Sequence, residues 1–100
     1  MISQIMKQRK RADMLLEMWN AYLSVPVGVE QMMTWLDDFP PNIIAHGIKQ
    51  LARKVAMVQG NMETDHMLAY ATKTMQNALE QAIAQGIYQR RDSVLGTVPQ

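Results

Sequence analysis

No cysteine occurs among the 100 residues. Disulfides, thiolate metal sites and cysteine nucleophiles are thereby excluded. Glycine is scarce too: five residues, scattered, with no glycine-rich phosphate loop and no G-x-S-x-G elbow among them. Aromatic residues make up 6% of the chain, with a single phenylalanine, which leaves little material for a base-stacking platform. Neither sign of charge dominates. Ten Lys and Arg against nine Asp and Glu give a net charge of +1, so any nucleic-acid contact must come from local clustering. No stretch approaches the roughly 18 to 20 apolar residues that span a bilayer. The basic run Lys7 to Arg11 leads into Asp13 and Glu17, not into the apolar core of a secretory leader. A cytoplasmic protein without membrane contact is expected.

What is present is apolar: 48% of the residues, against 19% charged. That balance belongs to a folded chain, and the length suits one domain with one modest core. Ten methionines are unusual beside one phenylalanine. Methionine fills irregular gaps in a core, and it equally suits an adaptable contact surface. Both readings stand at this point.

Periodicity predicts four helices and no strand. The first runs from about Ser3 to Leu23, with Ile5, Ala12, Leu15, Leu16, Trp19 and Leu23 on its core face. Ser24 to Gly28, with Pro26 inside, breaks it. A short second helix covers about Val29 to Asp38. Phe39-Pro40-Pro41-Asn42 stops that helix, and Pro41 opens a third, because proline is welcome in a first turn. The third carries Ile44, Gly47, Ile48, Leu51, Val55 and Val58 on one stripe, and Gly60-Asn61 reads as its cap. Thr64 or Asp65 is expected to cap the fourth. Its stripe is Leu68, Ala71, Met75, Ala78, Leu79, Ala82 and Ile83, with a bend or fraying at Gly86. The expected fold is all-α, a compact bundle of four helices with the second short, over residues 1–91. Residues 92–100 read as a flexible C-terminal tail, with Gly96 and Pro99 as breakers.

A second line runs beside the core face of the first helix: Lys7, Lys10, Arg11, Met14, Met18 and Ala21. From Met14 onward the apolar arc is roughly 220° wide, about twice an ordinary stripe. Either this helix is central and covered on both sides, or the Met14/Met18 side is exposed and docks a partner. On the third helix, His46, Lys49, Arg53 and Met57 share an outer face. Lys49 and Arg53 are four apart, a like-charge pair that is mildly unfavourable unless something acidic relieves it. A solvated face and a carboxylate or phosphate contact both explain it. Arg90-Arg91 suits the negative end of the fourth helix.

The chemistry of an active site is not legible. His46 and His66 lie apart, without an H-E-x-x-H pattern. Asp37-Asp38 is the one adjacent carboxylate pair, and it reads as favouring the positive N-terminus of the third helix rather than as an acid/base pair. The sequence therefore predicts no enzyme, no cofactor and no metal. Lys7-Gln8-Arg9-Lys10-Arg11 could neutralise a few phosphates, but no aromatic residue interleaves it. A helix-turn-helix made of the second and third helices would leave His46, Lys49 and Arg53 outward, a face poor in the side chains of direct base readout.

The run Trp35-Leu36-Asp37-Asp38-Phe39-Pro40-Pro41-Asn42-Ile43-Ile44, followed by Gly47-Ile48-Lys49-Gln50-Leu51, resembles small helical proteins of phage and mobile-element replication. These are the replicative-helicase loader/inhibitor proteins and the DnaD-like domains. The resemblance covers about Trp19 to Leu79. It implies a phage-encoded, non-catalytic module that binds a replicative helicase or a nucleoprotein complex. Size and absence of chemistry also fit a phage inhibitor of a bacterial defence complex, of the anti-CRISPR type. A homodimeric adaptor seamed along Met14/Met18, or a weak DNA-binding protein, is the third class. The expected partner-binding residues are Lys7, Lys10, Arg11, Met14 and Met18 on the first helix and Lys49 and Arg53 on the third. The cations would steer and anchor an acidic partner, and the methionines would supply adaptable apolar contact.

Overall fold

The computed structural model describes residues 2–86, and side chains from Met6 onward. Four helices follow in chain order: α1 (Ile2–Tyr22), α2 (Val29–Asp38), α3 (Pro41–Met57) and α4 (Thr64–Ala84). There is no strand among the described residues. The architecture is an all-α four-helix bundle, 18 Å across its thinnest axis, which is two helix layers.

The helix boundaries have local causes. Leu23, the last core residue of the first segment, donates its N–H to the Trp19 carbonyl at 2.8 Å and closes α1. Pro41 begins α3, with Pro40 before it in an extended conformation. The end of α3 is a Schellman turn: Gly60 N–H reaches Val55 O at 2.8 Å and Gln59 N–H reaches Ala56 O at 3.1 Å. Gln59, not Gly60, occupies the first left-handed position, at φ 57°, and Gly60 follows at φ 77°. Glu63 holds the N-cap position of α4, so Thr64 and Asp65 lie inside the first turn, and no side chain caps that end. Asp37 and Asp38 form the last turn of α2, and the N-cap of α3 is Pro40 without a side-chain cap. The carboxylate pair thus ends α2 just before the N-terminus of α3. α4 ends at Ala84, with Gly86 beyond it at φ 79°. The Ile5 side chain, Arg90-Arg91, the last turn expected up to residue 91 and the tail at 92–100 lie outside the described residues.

The core gathers one stripe from each helix. Ala12, Leu15, Trp19 and Leu23 come from the first segment; Met32, Trp35, Leu36 and Phe39 from the second. Ile43, Ile44, Ile48 and Leu51 come from α3; Met67, Ala71 and Met75 from α4. The two tryptophans meet at its centre, ring centroids 6.1 Å apart and tilted by 43°. Each indole N–H is satisfied: Trp19 donates to Val25 O at 2.7 Å and Trp35 to Thr72 Oγ1 at 3.0 Å. The first bond ties the α1–α2 connection to α1, and the second ties α2 to α4. Gly47 lets α3 and α4 approach closely. A Cβ there would lie 2.6 Å from Met75 Cγ and 3.3 Å from Ala71 O.

α3 packs against all three other helices and is the central one. α1 packs against α2 and α3 and makes no extensive contact with α4. Among the described residues the wide apolar arc of α1 is packed by α2 and α3 and left exposed at Met14.

Candidate partner-binding surface

One face of α1 fixes the orientation of the other. Ala12, Leu15, Trp19 and Leu23 point inward, so side chains advancing by about 100° per residue place Lys7, Lys10, Arg11, Met14 and Met18 away from the centre of that face. Lys7, Lys10 and Arg11 are exposed, and Met14 is 67% exposed. Met18 is half-buried against the core. The Met-rich side is thus surface at Met14 and a core margin at Met18. Apolar surface runs without a break from the interior outward.

Two further residues extend this surface. Tyr22, four residues after Met18, is 52% exposed and prolongs the arc toward the end of α1. Its spacing from Met18 carried the signal, but aromatic character at helical spacing reads equally well as core. Met6, 65% exposed, lies across the Lys10 edge.

The electrostatics of the arc are one-sided. Arg9, on the opposite flank, takes Asp13 at 3.4 Å. Arg11 donates to the neutral Gln8 side chain at 3.2 Å. Among the described residues no carboxylate pairs with Lys7, Lys10 or Arg11. The pattern along the helix is cations first, then exposed apolar surface.

The outer face of α3 repeats that order. His46, Lys49 and Arg53 are exposed, followed by Met57 at 77%, the most exposed large apolar side chain among the described residues. Lys49 and Arg53 share the solvent-facing side of the central helix, with no carboxylate paired to either among the described residues. Each of the seven expected partner-binding residues except Met18 is therefore at the surface. They are carried by two helices, α1 and α3.

Chemical groups elsewhere are dispersed. No polar or charged side chain is buried among the described residues, and no three His, Asp or Glu residues are grouped. No described helix is long and apolar enough to cross a membrane. No protein-family model matches the chain, and neither a curated protein nor a solved structure matches it significantly.

Proposed function

We propose that this chain is a non-catalytic helical module that binds a protein partner through the outer face of α1. The observation that carries the reading is the exposed line Lys7, Lys10, Arg11 and Met14, on the side of α1 away from its buried stripe. Exposed methionine offers contact area that reshapes itself to a partner, and unpaired cations steer an acidic surface toward it. Lys49, Arg53 and Met57 on α3 offer a second contact of the same character.

The resemblance of residues Trp19 to Leu79 to phage replication accessory proteins favours a replicative helicase, or the nucleoprotein complex around it, as the partner. The module would act there by occupying a surface, as a phage-encoded loader or inhibitor does. Nothing in the α1 face distinguishes a helicase from a defence complex, so the experiment carries both. Solution mass is measured by light scattering for the chain alone, with purified bacterial replicative helicase, and with an RNA-guided defence nuclease. A short duplex DNA at low and moderate salt completes the set. A complex with either protein assembly and no salt-sensitive complex with DNA supports a protein-binding module. A complex with DNA that dissolves as salt rises, with neither protein bound, overturns it.

A further inference from the structure

We infer that the α1 face receives an acidic amphipathic helix of the partner, its apolar side on Met14, Met18 and Tyr22 and its carboxylates on Lys7, Lys10 and Arg11. This rests on the reading of the chain as a protein-binding module and names the chemistry of what it binds.

Geometry sets the first requirement. Lys7, Arg11, Met14, Met18 and Tyr22 fall within about 80° of one another around α1, which is the width of one helix-in-groove contact. From Lys7 to Tyr22 the rise is about 22 Å, four turns of a facing helix. The apolar half is open at Met14 and Tyr22 and joins the core through half-buried Met18. An occupant therefore needs apolar residues at i, i+4 and i+7 over one half of its length.

Charge sets the second. The cationic half holds three positive groups that no carboxylate pairs among the described residues, while Asp13 and Glu17 lie beyond the Lys10 edge of the arc. Covering these groups with an apolar or basic surface would strand them, and carboxylates would satisfy them. That requirement separates the possible occupants. Residues 87–100 of the chain itself carry Arg90 and Arg91 against Asp92 and repel the cationic half. A second copy laid antiparallel would press Lys7 and Arg11 onto Tyr22 and Met18, leaving four cations covered and unpaired; laid parallel, it would stack like on like. An interfacial lipid helix carries its cations along both flanks, not at one end.

The test uses the full chain and a labelled, end-capped helical peptide of about 18 residues, slightly longer than the contact. The peptide has leucines at i, i+4 and i+7 in one half and glutamates on the same face in the other. It is made in both chain directions, and a counterpart replaces the glutamates with glutamine. Fluorescence anisotropy should show one glutamate peptide binding about tenfold more tightly than its glutamine counterpart. Arg11→Glu and Met14→Asp should each weaken it about tenfold, whereas Lys73→Glu, an equal charge change on α4, should alter it by less than about twofold. Circular dichroism keeps the comparison to variants with unchanged helicity. Equal binding of glutamine and glutamate peptides overturns the inference, as does equal loss in Arg11→Glu and Lys73→Glu or no binding of either peptide. The same variants mixed with helicase and nuclease separate the two claims. A protein complex that forms undiminished with Met14→Asp overturns this inference and leaves the module reading standing. Loss of every protein complex in the wild type, with DNA bound instead, overturns both.

Discussion

Replacing Thr72 by valine should destabilise the fold although the two side chains have nearly the same shape. Thr72 on α4 has one hydroxyl proton, and it is donated to Leu68 O at 2.8 Å. The oxygen is thereby left as an acceptor, aimed at the indole N–H of Trp35 at 3.0 Å. Trp35 is 3% exposed, so water cannot take over the acceptor's role. Valine strands that N–H, at a cost of about 1 to 3 kcal/mol for an unsatisfied buried donor. The Leu68 carbonyl loses little, because it retains its helical bond. The added methyl returns a few tenths of a kcal/mol at this half-buried site, leaving a net loss of about 1 to 2 kcal/mol. For a domain of this size that lowers Tm by about 4 to 16 °C. Thr72→Ser keeps the oxygen and should lose only about 0.5 kcal/mol for the methyl. Urea unfolding followed by circular dichroism gives the difference, with a cycle through Trp35→Phe as control. In that background no N–H remains to be stranded, so Thr72→Val should cost almost nothing further. If Thr72→Ser is as damaging as Thr72→Val, or if the valine penalty persists beside phenylalanine, the bond is not what joins α2 to α4.

Gly47→Ala tests the approach of α3 to α4. Helix propensity favours alanine by about 1 kcal/mol, yet the new methyl meets fully buried Met75, and overpacking of this kind costs about 1 to 3 kcal/mol, so thermal melts should show no gain and up to about 2 kcal/mol of loss. Adding Met75→Ala should make Gly47→Ala favourable, and a penalty that survives there would place the clash elsewhere. Gln59→Gly removes a left-handed glutamine from the Schellman turn and should raise stability by about 0.5 to 1 kcal/mol in chemical denaturation, whereas a loss would mean that the glutamine side chain contributes there. Lys49→Glu turns a like-charge pair with Arg53 into an i,i+4 attraction, worth about 0.3 to 0.5 kcal/mol in low-salt melts. The same variant should weaken any protein complex that uses the α3 face, and an unchanged complex would confine the binding surface to α1.

The bundle was legible because α2, α3 and α4 each keep apolar residues to one helical stripe between strong breakers. Pro26, the Pro40-Pro41 pair and Gly60 punctuate the chain where the helices end or begin. The caps were less legible. Thr64 and Asp65 are good N-cap residues by type, but the chain enters α4 one residue earlier through Glu63, and cap position depends on how the loop is held rather than on local preference. Gln59 taking the left-handed place beside an available glycine is the same lesson, since the turn's two hydrogen bonds fix which residue must bend. The Trp35–Thr72 bond spans 37 positions and leaves no trace in periodicity.

Centrality could not be read from α1 alone. Its apolar arc is wide, and a wide arc predicts a helix buried on two sides. α3 occupies that place: Ala45, Ala52 and Val55 pack along one flank of its buried stripe, and Gly47 admits α4. On α1, Met14 and Tyr22 are more than half exposed, so only part of their apolar area is buried in the described fold. The exposed apolar surface at Met14 and Tyr22, next to cations that no described carboxylate pairs, is the surface that the proposed partner would cover.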